Sequence, residues 1–190
     1  MPGRLRRAVF LDRDGTLNRE IASYVRSPEE LDVFPWAGRA LAPLVRRGVP
    51  LFLASNQAGV GKGLMTLGDL QAVDAKLREE LERQGVRLEQ SYYCTHTDEQ
   101  GCDCRKPKGG LLLRAAREYG LDLSRSFMVG DSWRDMAAGR AAGARTVFVP
   151  TGIDPRGQLS RVGDLADYRA LDLEDAVRWI CERMDEEDMG

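Results

Sequence analysis

"AVFLDRDGTLN", residues 8–18, joins a four-residue apolar run to two aspartates one position apart. Ala8 to Leu11 is a short β-rich run stopped by a charge, so it reads as a buried strand. Alternate side chains of an extended chain share a face. Asp12 and Asp14 can therefore both point into one pocket at the strand's carboxyl end, and Gly15 permits the sharp turn that follows. Two carboxylates this close repel each other unless a cation or a shared proton relieves them, and a divalent metal is implied. The competing reading is an Asp-Gly turn with exposed acids, and the other strand ends must decide.

Further strands are expected at Val49–Ala54, Ser91–Cys94, Phe127–Val129 and Thr146–Val149. Between them lie amphipathic helices at about Gly38–Arg47, Leu67–Gln84, Gly110–Tyr119 and Trp133–Ala142. Thr66, with Asp69 three residues on, is a capping arrangement that starts the second helix. Leu70, Val73, Leu77 and Leu81 make that helix's buried stripe, and Gly85 stops it. Strands alternating with helices imply right-handed crossovers and a parallel sheet covered on both sides, a doubly wound α/β fold. One domain over residues 1–190 is expected. Residues 152–170, rich in Gly, Asp and Arg, read as irregular surface, and a last helix carries Leu173, Val177, Ile180, Cys181 and Met184. In such sheets ligands bind outside the carboxyl ends of the strands, so chemistry should gather there.

The second strand is followed by "ASNQAGVGKG", in which Ser55 offers a hydroxyl, Asn56 an amide, and Gly59, Gly61 and Gly63 let backbone N–H groups approach an anion. It does not match the nucleotide-binding P-loop, because Lys62 is followed by Gly63 and the glycine spacing is wrong. The third leads to Arg105 and Lys106, with Lys106 set directly before a proline. The fourth ends in "VGDSWRDMAA", which puts Asp131 at the strand terminus and Asp135 one helical turn later. Taken singly, each of these has an ordinary solvated explanation.

A hydrophobic fraction of 43% and a charged fraction of 31% exclude disorder and fibrous architectures. The formal net charge of −2 gives no general attraction to nucleic acid. Arg4, Arg6 and Arg7 are too few for a nucleic-acid arm and read as a solvated terminus. The run at 8–11 is too short for a signal-peptide core or a membrane span, so a cytoplasmic protein without membrane contact is expected. Thiols stay reduced there, and clustered cysteines hold metal more readily than they form disulfides. Cys94, His96, Cys102 and Cys104 form C-x-H-x5-C-x-C, three thiolates and one imidazole, the ligand set of a closed tetrahedral zinc site. A site closed by four protein ligands is structural, and it would staple the loop that carries Arg105 and Lys106. The alternative is incidental clustering. A zinc-dependent nucleic-acid module would need aromatic platforms interleaved with a basic face, which the chain lacks.

Together the four strand ends present D-x-D, Ser, Lys and G-D-x-x-x-D in order across residues 8–150, and this constellation resembles the haloacid dehalogenase superfamily of phosphotransferases. The resemblance implies that Asp12 is a nucleophile toward a phosphate monoester and Asp14 the general acid and base. It implies Mg²⁺ held by the Asp12 carboxylate, the Asp14 backbone carbonyl and the Asp131 carboxylate, with Asp135 in support. Ser55 and Lys106, with Asn56 beside them, would bind the phosphoryl group. C-x-H…C-x-C followed by R-K-P resembles two phosphatase families inside the superfamily, one acting on D-glycero-D-manno-heptose 1,7-bisphosphate and one on histidinol phosphate. Both lack a large cap domain, and the short segment from Thr16 to Trp36 leaves no room for one. "FLDRDGTLN", "SNQAGVGKG" and "CDCRKPKGGLL" look more like the heptose family. That family usually carries Thr where this chain has Ser55, and the hydroxyl is kept. The implied substrate is a phosphorylated sugar, with Arg105 either contacting its second phosphate or making a local salt bridge. A monomer is expected, and a non-hydrolytic phosphotransferase on the same fold is the remaining enzymatic alternative.

Overall fold

The computed structural model describes residues 5–189, so Arg4 of the N-terminal basic cluster lies outside the described residues. In chain order the elements are β1 (Val9–Leu11), α1 (Ala37–Arg46), β2 (Leu51–Asn56), α2 (Leu67–Arg83), β3 (Gln90–Cys94) and α3 (Gly110–Tyr119). They continue with β4 (Phe127–Gly130), α4 (Trp133–Ala142), β5 (Arg145–Phe148), α5 (Pro155–Val162), β6 (Tyr168–Arg169) and α6 (Leu173–Met189). All six strands run parallel in the order β3-β2-β1-β4-β5-β6. The order reverses between β1 and β4. A crevice opens at such a switch point, outside the carboxyl ends of the two strands.

Strand alternation divides the core. Val9, Leu11, Leu51 and Leu53 face α1, α2 and α6, while Phe10, Phe52 and Ala54 face α3 and the end of α4. β1 is buried on both faces and lies between β2 and β4. It is therefore held rigidly where Asp12 leaves it, with the Asp12 N–H donating to the Val129 carbonyl at 3.0 Å.

The expected elements are present with shifted ends. β2 begins at Leu51 rather than Val49 and runs through Ser55 and Asn56. The Thr66 cap forms as the sequence implies, with Asp69 N–H donating to Thr66 Oγ1 at 3.1 Å and Thr66 N–H to Asp69 Oδ2 at 2.7 Å. The segment 152–170 is not irregular throughout: it holds α5 and β6. Asp154 caps α5 by accepting from the Gly157 N–H at 3.0 Å, with Pro155 in the first turn. An Asp-Pro helix start is a readable signal that the segment's Gly and Arg content masks.

Candidate active site

A cleft of about 720 Å³ opens above the switch point, lined by Asp12, Asp14, Ser55, Asn56, Arg105, Lys106, Asp131 and Asp135 among others. Every residue expected to act on phosphate thus borders one cavity, although these residues are spread from Asp12 to Asp135 along the chain. At its floor the carboxylate oxygens of Asp12, Asp131 and Asp135 lie within 4.8 Å of one another. Lys106 sits among them with its side chain 3% exposed, its Nζ 2.9 Å from Asp12 Oδ1, paired with Asp135 and donating to the Ala54 carbonyl at 2.8 Å.

Burial works to lower the Lys106 pKa, and the flanking Asp12 and Asp135 carboxylates outweigh it, so the ammonium stays charged. Burial first, then the charges of Asp135, Asp12 and Glu20, push the Asp131 carboxyl well above the usual range. Asp135 is likewise pushed up, chiefly by burial against the pull of Lys106, to about 7. Its two oxygens are already committed, one to Lys106 and the other to the Ser132 N–H at 3.0 Å. Asp131 differs: no protein donor reaches it among the described residues. Asp12 Oδ1 is buried without a well-directed hydrogen bond, despite the nearby ammonium. Two carboxylates short of donors, in a buried cluster that raises its own pKa values, fit a hard divalent cation with oxygen ligands.

Close approach of two loops makes room for Asp131. A Cβ on Gly152 would lie 1.9 Å from Asp131 Oδ2, and one on Gly15, at φ +76°, would lie 2.5 Å from the same oxygen. Thr151 donates its hydroxyl to the Gly15 carbonyl, which ties the loop after β5 to the loop after β1.

The Asp14 side chain is not part of the floor cluster. It accepts from Arg13 Nη2 at 2.9 Å, Asn18 Nδ2 at 2.9 Å and Gln57 Nε2 at 2.7 Å. Gln57 also donates to Ser55 Oγ at 3.2 Å, which links the hydroxyl after β2 to the acid after β1. Asn56 grips the main chain of Lys106 from both sides. Its Nδ2 donates to the Lys106 carbonyl at 2.9 Å, and its Oδ1 accepts the Lys106 N–H at 3.0 Å. Asn56 thus fixes the main chain of Lys106 while itself lining the cleft. Sequence reasoning missed Arg13 and Gln57. Arg13 is fully buried although it sits between two acids, and only the tertiary fold supplies that environment.

The cysteine cluster closes as expected. Cys94 Sγ lies 3.6 Å from His96 Nδ1, 3.6 Å from Cys102 Sγ and 3.2 Å from Cys104 Sγ, and Cys104 Sγ is 3.3 Å from His96 Nδ1 and 3.5 Å from Cys102 Sγ. Ligands around one zinc stand about 3.6–3.8 Å apart for bond lengths of about 2.0–2.3 Å, so the four atoms are nearly placed for it. Burial and then Cys104 push the Cys94 thiol up to about 12, so three thiolates need a cation to coexist. Arg105 and Lys106 follow directly, and Lys108 Nζ donates to the Cys102 carbonyl at 2.8 Å.

The raised acids set a pH dependence for the metal-free protein. Asp135 titrates at about 7 in the fold and near about 4 when unfolded, and Asp131 moves the same way. The folded state therefore binds the protons more tightly. The contribution of these groups is present below about pH 4 and is lost as pH rises through about 7. Thermal melts without metal should show Tm falling from pH 5 to pH 8. Added Mg²⁺ should raise Tm more at pH 8 than at pH 5, and an equal rise at both would remove the metal from this cluster.

A HAD-hydrolase-like family model matches residues 103–176. A D-glycero-beta-D-manno-heptose-1,7-bisphosphate 7-phosphatase from Pseudomonas aeruginosa is 40% identical over 147 residues, 77% of this chain and 83% of that protein. The one from Haemophilus ducreyi is 36% identical over 176 residues, 88% of this chain and 96% of that protein. Among solved structures, the D,D-heptose 1,7-bisphosphate phosphatase of B. bronchiseptica, complexed with magnesium and phosphate, superposes with a TM-score of 0.86 at 32% identity, covering 93% of this chain and 99% of that one. A putative HAD-like phosphatase from Mesorhizobium loti gives 0.72 at 30% identity, covering 95% and 91%. Similarity at this level extends over most of the relatives' length, and the chain belongs to the D-glycero-D-manno-heptose-1,7-bisphosphate 7-phosphatase family of HAD-like phosphoric monoester hydrolases.

Proposed function

We propose that the chain hydrolyses the C7 phosphate ester of D-glycero-D-manno-heptose 1,7-bisphosphate with Mg²⁺ as cofactor, acting as a single-domain cytoplasmic monomer. The observation that carries the reading is the convergence of Asp12 and Asp131, both short of donors, beside a buried Lys106 on the cleft floor. The names of the relatives supply the sugar.

Asp12 and Asp131 would hold Mg²⁺ through their carboxylates and Asp14 through its backbone carbonyl. When bound, the ion neutralises phosphoryl oxygens and the facing acids. The Asp12 carboxylate attacks phosphorus as the sugar C–O–P ester breaks, giving an aspartyl-phosphate. Asp14 gives its proton to the leaving oxygen, then takes one from the water that attacks the same phosphorus and frees Asp12 and inorganic phosphate. Lys106 and Ser55 hold the transferring oxygens, where fixed charge stabilises the transition state. Arg13, Gln57 and Asn18 position Asp14, and Asn56 positions Lys106. Arg105 pairs with Asp98 through Nε and keeps a buried Nη1 unpartnered, which suits a second phosphate rather than the ammonium of histidinol phosphate.

Phosphate release from the heptose bisphosphate and from histidinol phosphate, measured side by side, tests the substrate; a preference for histidinol phosphate above tenfold overturns it. The four-ligand cluster is read as a structural zinc site. Elemental analysis should find one zinc per chain, lost together with the ordered loop on replacing Cys104 by Ser, and zinc-free protein of full activity would refute that role. Sedimentation at the 21.2 kDa of one chain checks the monomer.

A further inference from the structure

The charges of the cleft are segregated. Asp12, Asp131 and Asp135 crowd its floor, while three other lining residues, the cations Lys62, Arg105 and Arg134, gather around Asp98 and form one wall. Arg105 is paired with Asp98, which is itself 69% exposed. Neither Lys62 nor Arg134 has an ion pair among the described residues. Asp154, another acid lining the cleft, caps α5. The Asp98 carboxyl is drawn below its usual range by Arg105 first, with Arg134 and Lys62 adding to it, so one carboxylate answers to all three cations.

Arg134 stands where local physics disfavours it. It is in the first turn of α4, where a positive charge opposes the helix dipole by about 0.3–1 kcal/mol. Its side chain lies over Trp133, 5.2 Å from the ring centroid, and that ring already carries Arg161 at 4.4 Å. Two guanidinium groups on one indole repel each other, so neither helix stability nor the aromatic contact accounts for the position. Lys62, 5.6 Å from the Tyr24 ring centroid, fronts the cleft from the loop after β2. A field built at local expense and left uncompensated is the signature of a binding site.

We propose that Arg134 and Lys62 flank Arg105 to form the seat of the substrate's non-reacting phosphate, and that Arg134 sets the preference for bisphosphates over monophosphates. This rests on the phosphatase reading above and adds to it the residues that read the remote end. The floor takes the reacting phosphate, whose charge Lys106 and a cation held by Asp12 and Asp131 would neutralise. A second dianion finds guanidinium and ammonium donors at this wall, two of them without an ion pair among the described residues.

The test uses Arg134→Gln and Lys62→Gln in the intact enzyme, each assayed on the heptose 1,7-bisphosphate and on the heptose 7-phosphate, which share the reacting end. The ratio of kcat/KM for the two sugars should fall on the order of tenfold for each variant and further for the pair, through KM more than kcat. Equal losses on both sugars, or an unchanged ratio, overturn the assignment of the wall. A wild-type enzyme that favours the bisphosphate while the variants keep that preference leaves the phosphatase reading standing and removes only this inference. A wild-type enzyme that treats the two sugars alike removes the bisphosphate reading, and the wall's role with it.

Discussion

Asp12→Asn is expected to abolish phosphate release, by about four orders of magnitude or more, without unfolding the protein. An amide is not a nucleophile toward phosphorus, and none of the other acids in the cleft can take over. Asp135 has both oxygens committed, the Asp14 carboxylate is held by Arg13, Asn18 and Gln57, and Asp131 follows a different strand. The same substitution takes one negative charge out of a cluster in which Asp12 helps to raise both Asp131 and Asp135. The metal-free variant should therefore melt no lower than the wild type at pH 8. Steady-state assays and thermal melts check the two halves separately. Residual activity above about one part in a hundred would mean that another group attacks the phosphate.

Replacing Lys106 with Met should damage stability and chemistry together. The ammonium is buried, faces Asp12 and Asp135, and donates to the Ala54 carbonyl. Removing one partner from a buried charge cluster costs about 3–5 kcal/mol, because the other charges stay behind uncompensated. The loss depends on pH with a definite sign. Asp135 is already raised to about 7 with the lysine in place, and without it the carboxyl rises further. At pH 5 the acids accept protons and much of the penalty disappears, whereas at pH 8 it is felt in full. Urea titrations at the two pH values should separate by several tenths of the total loss at least. Turnover should fall about 10²–10³-fold in the folded fraction, since the phosphoryl oxygens lose a fixed charge. A variant equally stable at both pH values would show that Lys106 does not hold the acids together.

Much of this molecule is legible before any coordinates. Short continuous apolar runs, buried on both faces at β1 and β4, and period-3.6 stripes such as Leu70, Val73, Leu77 and Leu81 depend on neighbours a few positions away, and such patterns can be read along the chain. The C-x-H-x5-C-x-C spacing and the strand-end residues belong to the same class, because a short segment carries each motif whole. Only the tertiary structure decides what those residues touch. The Asp14 carboxylate turns to Arg13, Asn18 and Gln57. Asn56 grips the Lys106 backbone 50 positions away, and Gly152 lets Asp131 into the cluster. The charges at Lys62 and Arg134 meet on one wall only because the loop after β2 and the first turn of α4 converge there. Local sequence governs backbone shape through short-range sterics and burial. The electrostatic state of a carboxylate or a guanidinium depends on groups a few ångströms off in space and tens of residues off in sequence, so it exists only once the sheet has brought them together.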